Sequence, residues 1–283
     1  MLKGESLDRF IDRFWENTDT EANTLDTTEE ELAEYTLPSD GFLIAPVAKT
    51  KISRRTWISL AGFLVITPIL LFILVSRYHG RQYLMFSLFI VLYAMIPFFM
   101  VFEGRKPQPR EMMVISVLAA IGVAGRAAFY MIPNFKPIAA VVIITGVSFG
   151  GEAGFLVACI IMLVSNMFMG QGPWTPWQMF AYGMIGFLAG ILFRKGVLKP
   201  KRISLCIYGF LSVFFIFGGI MNPASILMSY GYITKSSLIA YYISGAPVDF
   251  VHAASTVIFL WFMSKPMFEK LERIKKKYGL IER

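Results

Sequence analysis

The stretch PIAAVVIITGVSFGGEAGFLVACIIMLVSNMFMG, residues 137–170, decides how this chain is read. Two apolar runs, 137–150 and 153–169, flank Gly150-Gly151-Glu152. Together they are too long for one membrane helix, which needs roughly 20 residues to cross a ~30 Å hydrocarbon core. Paired glycines followed by a carboxylate interrupt a helix where they fall. The stretch therefore predicts two antiparallel helices joined by a tight turn. The parity of every later span follows from that reading.

Working outward, further apolar runs fall at about 57–76, 83–102, 111–131, 176–193, 203–221 and 238–263. With 56% apolar and 16% charged residues among 283, this is a membrane composition. The expectation is an all-α integral membrane protein of about eight transmembrane helices. Bases then assign the sides. Lys49, Lys51, Arg54 and Arg55 precede the first span, and Arg105, Lys106 and Arg110 follow the second. Arg194, Lys195, Lys199, Lys201 and Arg202 follow the sixth, and Lys265, Lys270, Arg273 and Lys275 to Lys277 follow the eighth. Eight spans put all four groups, and both termini, on the cytoplasmic side. The other side holds Arg77, Arg81, Lys136 and Lys235.

Charge is also unequal along the chain. Residues 1–48 carry 12 acids and 3 bases, whereas the remainder carries 24 bases and 7 acids. The excess of bases suits cytoplasmic loops of a membrane protein, not nucleic-acid binding. Leu7, Phe10, Ile11, Phe14 and Trp15 share one face at helical spacing, which predicts a short amphipathic helix in this acidic tail. Residues 17–41 read as disordered or loosely ordered. Met1 to Pro38 lacks the apolar run of a signal peptide. Cys159 and Cys206 both fall in apolar runs, with no disulfide or metal-ligand spacing.

The chain carries no phosphate-binding Gly-x-x-x-x-Gly-Lys-Ser/Thr loop, no His-Glu-x-x-His and no Cys-x-x-Cys. Gly146-Val147-Ser148-Phe149-Gly150 does fit Gly-x-Ser-x-Gly, with His252 in another span. An intramembrane hydrolase would use Ser148 as nucleophile and His252 as base. Ser148 lacks the strand-to-helix elbow of that motif, and close helix packing is the better use of these small residues. Asp249 and His252 stand three apart on one helix face. A charge near the bilayer centre costs about 2.5–3.5 kcal/mol on insertion scales, so Asp249 is expected to face a cavity or a partner. Arg126, near the outer end of the third span, is the candidate partner.

The outer side gathers amides and aromatics. Asn134 and Lys136 share one loop. Asn166 precedes Gly170-Gln171-Gly172-Pro173-Trp174-Thr175-Pro176-Trp177-Gln178, whose prolines and glycines cannot continue a regular helix. Asn222, Tyr230, Tyr232, Tyr241 and Tyr242 surround the last outer loop, expected from Asn222 to Ser237. Trp and Tyr here serve either as an interfacial belt or, with the amides, as a lid over a flat, polar-rimmed small molecule. Taken as a unit, the 170–178 loop favours the lid. Ala120, Ala124 and Ala128 recur every four residues, a stripe that lets another helix approach closely, within this chain or from another subunit.

Together these residues resemble the substrate-binding S component of energy-coupling factor (ECF) transporters. Spans three to eight match its six-helix core in order and orientation over about residues 110–265. Ala120-x-x-x-Ala124 resembles the family's contact with its transmembrane coupling subunit. The run Gly125-Arg126-Ala127-Ala128-Phe129, Pro133 to Pro137, Gly170 to Gln178, and Gly218 to Ser225 looks like the subgroup assigned to cobalamin uptake. The resemblance implies a multi-pass plasma-membrane subunit of a prokaryote that binds a vitamin, with a coupling subunit and two ATPases as partners. It implies no catalysis and no bound cofactor, cobalamin being cargo. It divides the chain into an acidic tail (1–48), two extra helices (49–109), the core (110–265) and a basic tail (266–283). Gln171, Trp174, Trp177 and Gln178 would close over the ligand. Asn134, Lys136, Asn222 and Tyr242 would line the opening, with Arg126 and Asp249 at its floor and Asn166 also among the binding residues. Ala120, Ala124 and Ala128 would meet the coupling subunit. Another vitamin or a queuosine-precursor-like solute is the alternative cargo, and a purely structural membrane protein is a weaker reading.

Overall fold

The computed structural model describes residues 81–104 and 109–278. The span at 57–76 and the amphipathic helix expected near the N-terminus lie outside the described residues. Among those described, the chain forms α1 (Arg81–Gly104), α2 (Pro109–Ala128), α3 (Ile138–Phe149), α4 (Gly151–Met169), α5 (Trp174–Arg194), α6 (Arg202–Leu211), a π-helical segment (Ser212–Phe217), α7 (Gly218–Tyr230) and α8 (Lys235–Lys277). Among the described residues, five stretches are long and apolar enough to cross a membrane: α2, α4, α5, the continuous run Arg202–Tyr230, and α8. This is an all-α integral membrane protein.

α3 is only 12 residues long, and every one of them is buried. A helix that is apolar all round needs protein on all sides, and α4, α5 and α8 supply it. The turn expected at Gly150 is present. Its φ of 98° is one that glycine adopts without strain. Its N–H bonds to the Gly146 carbonyl at 3.0 Å, ending α3 directly before α4 begins.

The three helices α3, α4 and α5 then meet backbone to backbone. A Cβ at Gly146 would lie 2.2 Å from the Gly186 carbonyl oxygen, and one at Gly190 would lie 2.3 Å from the Gly151 nitrogen. No side chain fits in such a seam. Small residues at crossings are how membrane helices approach this closely. α1 packs against the same unit: Phe98 stacks on Phe155 at 4.1 Å and meets Phe187 edge-on at 4.8 Å.

One end of the bundle is basic. There Arg194 pairs with Glu152 at 3.4 Å, Lys275 with Glu272 at 2.7 Å, and Arg110 donates to the Tyr278 carbonyl at 3.4 Å. The amide-bearing residues gather at the opposite end.

Three expectations change. The outer loop from Asn222 to Ser237 shrinks, because α7 continues to Tyr230 and α8 starts at Lys235. Pro223 is accommodated inside α7, directly after the π-helical segment. The expected loop of 170–178 also shrinks: Trp174 to Gln178 are the opening turns of α5, where Pro176 loses no helical hydrogen bond. Finally, the basic stretch after residue 265 is helical to Lys277, with Pro266 inside α8.

The glycine seam yields a paired test. Gly190→Val should lower stability by about 1–3 kcal/mol, as overpacked sites do, and should drop the melting temperature of the detergent-purified protein. Gly219→Ala, at a helical site with nothing within 4 Å of a new Cβ, should melt at or slightly above the parent temperature.

Candidate functional site

The end opposite the basic residues is built around Asn166, which is 1% exposed. Arg126 on α2 donates through Nη1 to the Asn166 Oδ1 at 2.6 Å and to the Ser165 hydroxyl. A guanidinium can only donate, so it fixes which way the amide faces. Asn166 Nδ2 is thereby turned to α5, donating to Thr175 Oγ1 at 2.8 Å and to Gln178 Oε1 at 3.0 Å. The Thr175 hydroxyl donates to Gln171 Oε1 at 2.8 Å, and Gln171 Nε2 donates to the Leu163 carbonyl at 3.0 Å. One relay of side chains joins α2, α4, the following turn and α5. Among the described residues, the remaining donors of Arg126 and the Gln178 amide nitrogen bond nothing.

A second polar group lies between α7 and α8. Asn222 Nδ2 donates to Asp249 Oδ2 at 2.8 Å. Asp249 lies against Gly218 and Asn222 against Gly245, positions where a Cβ would come within 2.6 Å and 2.4 Å of them. Tyr242 donates to the Gly219 carbonyl at 3.1 Å. That carbonyl is free because Pro223, four residues on, has no N–H to give it.

Between the two groups, the Tyr182 hydroxyl meets His252 Nε2 at 2.9 Å, and both are buried. The Phe217 ring of the π-helical segment packs 4.6 Å from Tyr182 and 4.7 Å from His252. Tyr182 follows Gln178 by four residues on α5, and His252 follows Asp249 by three on α8. Each is thus one turn deeper on the face that carries its group.

Not all expected residues act as expected. Arg126 and Asp249 do not pair: Arg126 is held by Ser165 and Asn166, and Asp249 by Asn222. Lys136 fastens the turn after α2, its Nζ donating to the Phe129, Ile132 and Tyr130 carbonyls at 2.5, 2.7 and 3.3 Å. Burial, and then the nearby Arg126 charge, hold its ammonium below the ordinary lysine value. Asn134 is exposed in the adjoining loop, at a left-handed φ of 54°. Trp177 is 6% exposed and packs with Val91, Ala224 and Leu227, while its indole nitrogen has no partner among the described residues. Trp174 is 39% exposed, and its ring lies over Gly172. Ala120, Ala124 and Ala128 are exposed along α2.

Ser165, Thr175 and Tyr182 went unread in the sequence. Their signal was spacing: Ser165 adjoins Asn166, and Thr175 and Tyr182 stand near Gln178 on one helix. The hydrolase alternative is not supported by the geometry. A serine nucleophile needs its base within hydrogen-bond reach, yet His252 is engaged by Tyr182 and the buried Ser148 hydroxyl bonds neither it nor any other described residue.

Residues 106–266 match the model of a family described as ECF-type riboflavin transporter, S component. A UPF0397 protein of Aliivibrio salmonicida (strain LFI1238) is 31% identical over 104 residues, covering 35% of this chain and 55% of that relative. The alignment thus spans about half the length of the curated relative. No solved structure matches. The family match takes in α2 through most of α8, including the relay from Arg126 to Gln171 and the Asn222–Asp249 pair, and on that match the chain belongs to the ECF-type riboflavin transporter S-component family of multi-pass plasma-membrane proteins.

Proposed function

We propose that this chain captures a vitamin at the amide-bearing end of the bundle and delivers it as part of a multi-subunit importer. The observation that carries the reading is convergence. Five helices and the α4–α5 turn bring Arg126, Asn166, Gln171 and Gln178, and then Asn222, Tyr242 and Asp249, to the same end. The positive-inside rule makes that end external. The relay is mostly spent on itself, which rigidifies it. Unspent donors on Arg126 and Gln178 remain to recognise acceptors on a ligand, and Trp174 offers a flat face above them. Trp177 anchors this lid instead of forming it.

Such donors and one aromatic face suit a flat conjugated ring with a row of nitrogen and oxygen acceptors. Riboflavin fits that description and is the vitamin in the matched family's name. Cobalamin is the second candidate, on the run of amides and aromatics from Pro133 to Lys136, Gly170 to Gln178 and Asn222, which would meet the amide-rich rim of a corrinoid.

The partner surface lies on α2. Only 22% of its apolar stretch is buried, against 61% for α4 and for α5. Ala120, Ala124 and Ala128 form a shallow, exposed stripe there, flanked by Val117 and Ile121. It suits close approach of a membrane coupling subunit, with ATPase partners supplying the energy.

Three outcomes are expected. Purified protein should quench flavin fluorescence on binding riboflavin; a protein that instead takes up cobalamin colour assigns the corrinoid, and one that ignores both overturns the substrate reading. Trp174→Ala should weaken binding about tenfold, or about 1.4 kcal/mol, at unchanged melting temperature, whereas Trp177→Ala should cost about 3 kcal/mol or more of stability. Ala120→Leu with Ala124→Leu should preserve vitamin affinity in the isolated subunit but abolish copurification with a coexpressed coupling module. Undiminished copurification would move the partner surface elsewhere.

A further inference from the structure

α8 runs on beyond the bundle's basic end, and its last turns sort by face. Ser264, Phe268, Leu271, Glu272 and Lys275 are buried. Lys265, Glu269, Lys270, Arg273, Lys276 and Lys277 are exposed, five bases and one acid on a single face. This segment is fastened in place. Lys275 bonds Glu272 at 2.7 Å and sits 5.3 Å over the Phe149 ring at the end of α3. Arg110, at the start of α2, reaches the Tyr278 carbonyl.

The direction of the basic face follows from relative lengths. Leu260 and Ile143 meet at Gly209. From there to the Lys275–Phe149 contact, α8 advances 15 residues, about 22 Å, while α3 advances six, about 9 Å. α8 therefore passes the end of α3 and keeps its apolar residues against the bundle. A helix lying on a bilayer turns its apolar face into the acyl chains instead. Here that face is taken by protein, and the bases point away from it.

The chain holds its own complement. Residues 1–48 carry 12 acids and 3 bases. The distribution of bases puts the N-terminus on the same side of the membrane as the end of α8. We infer that the acidic segment of residues 1–48 docks electrostatically on the exposed basic face of α8 between Lys265 and Lys277. The contact is between exposed charges, so it is screened by salt.

Zero-length carbodiimide coupling of the full-length protein in zwitterionic nanodiscs, mapped by mass spectrometry, tests this. Carboxylates of residues 1–48 should join Lys265, Lys270, Lys276 and Lys277, and the yield should fall about fivefold or more when salt is raised to the point where exposed charges are screened. K265E/K270E/R273E/K276E/K277E should abolish those crosslinks without changing the melting temperature. Adding E29K/E30K/E31K/E34K should restore coupling with the charges exchanged. Crosslinks directed to Lys199 and Lys201, or insensitive to the reversal, overturn the inference. So does protection of the α8 lysines that appears only in phosphatidylglycerol discs and survives E29Q/E30Q/E31Q/E34Q, because that result gives the face to lipid.

Discussion

Backbone contact among α3, α4 and α5 is the constraint on which the rest of this protein depends. Gly146 and Gly154 touch Gly186, and Gly151 touches Gly190, with no side chain between them. In lipid there is little hydrophobic gain from bringing apolar helices together, so close packing must hold them. The seam fixes α4 against α5, and that registration carries Asn166 to Thr175 and Gln178 at the far end. It also lets a helix of only 12 residues live inside the bundle. The short α3 leaves the α2–α3 loop to pack on α8, where Phe129 and Phe135 both meet Phe259.

Much of this architecture was legible because its signals were local. Gly150-Gly151-Glu152 announced the turn, and apolar run lengths located the helices. The run at 203–221 read short because Asn222 and Pro223 look like loop residues. The helix survives them because Asn222 finds Asp249 and the Pro223-freed carbonyl finds Tyr242, contacts made across 27 and 23 residues. No local pattern reports such partners. The same holds for the two tryptophans. Trp174 and Trp177 stand three apart in one loop-like string, yet one covers Gly172 and the other fills a pocket of Val91, Ala224 and Leu227.

The candidate site was legible as a set of residue types, less so as a set of roles. Arg126, Asn166, Gln171 and Gln178 are joined in one hydrogen-bonded relay with Thr175, as one another's partners. Lys136 was read as a ligand group; its ammonium fastens the turn that follows α2, donating to the Phe129 and Ile132 carbonyls. Tyr182 and His252 join α5 to α8 through a buried hydrogen bond beside Phe217. His252 had drawn attention as a possible base and as a neighbour of Asp249 on one helix face, since a histidine alone says nothing about which partner it meets.

The π-helical segment from Ser212 to Phe217 sits directly ahead of this region. A π turn closes hydrogen bonds one residue later than an α turn, so it acts as a phase insert in an otherwise regular rod. One residue of phase is about 100° of rotation. Without it, everything from Gly218 onward would turn by that angle: Asn222 would leave Asp249, the Gly219 carbonyl would leave Tyr242, and the polar side of α7 would look into hydrocarbon. The single irregular turn is what aims α7 inward, so a length change of one residue there would alter the site more than most substitutions within it.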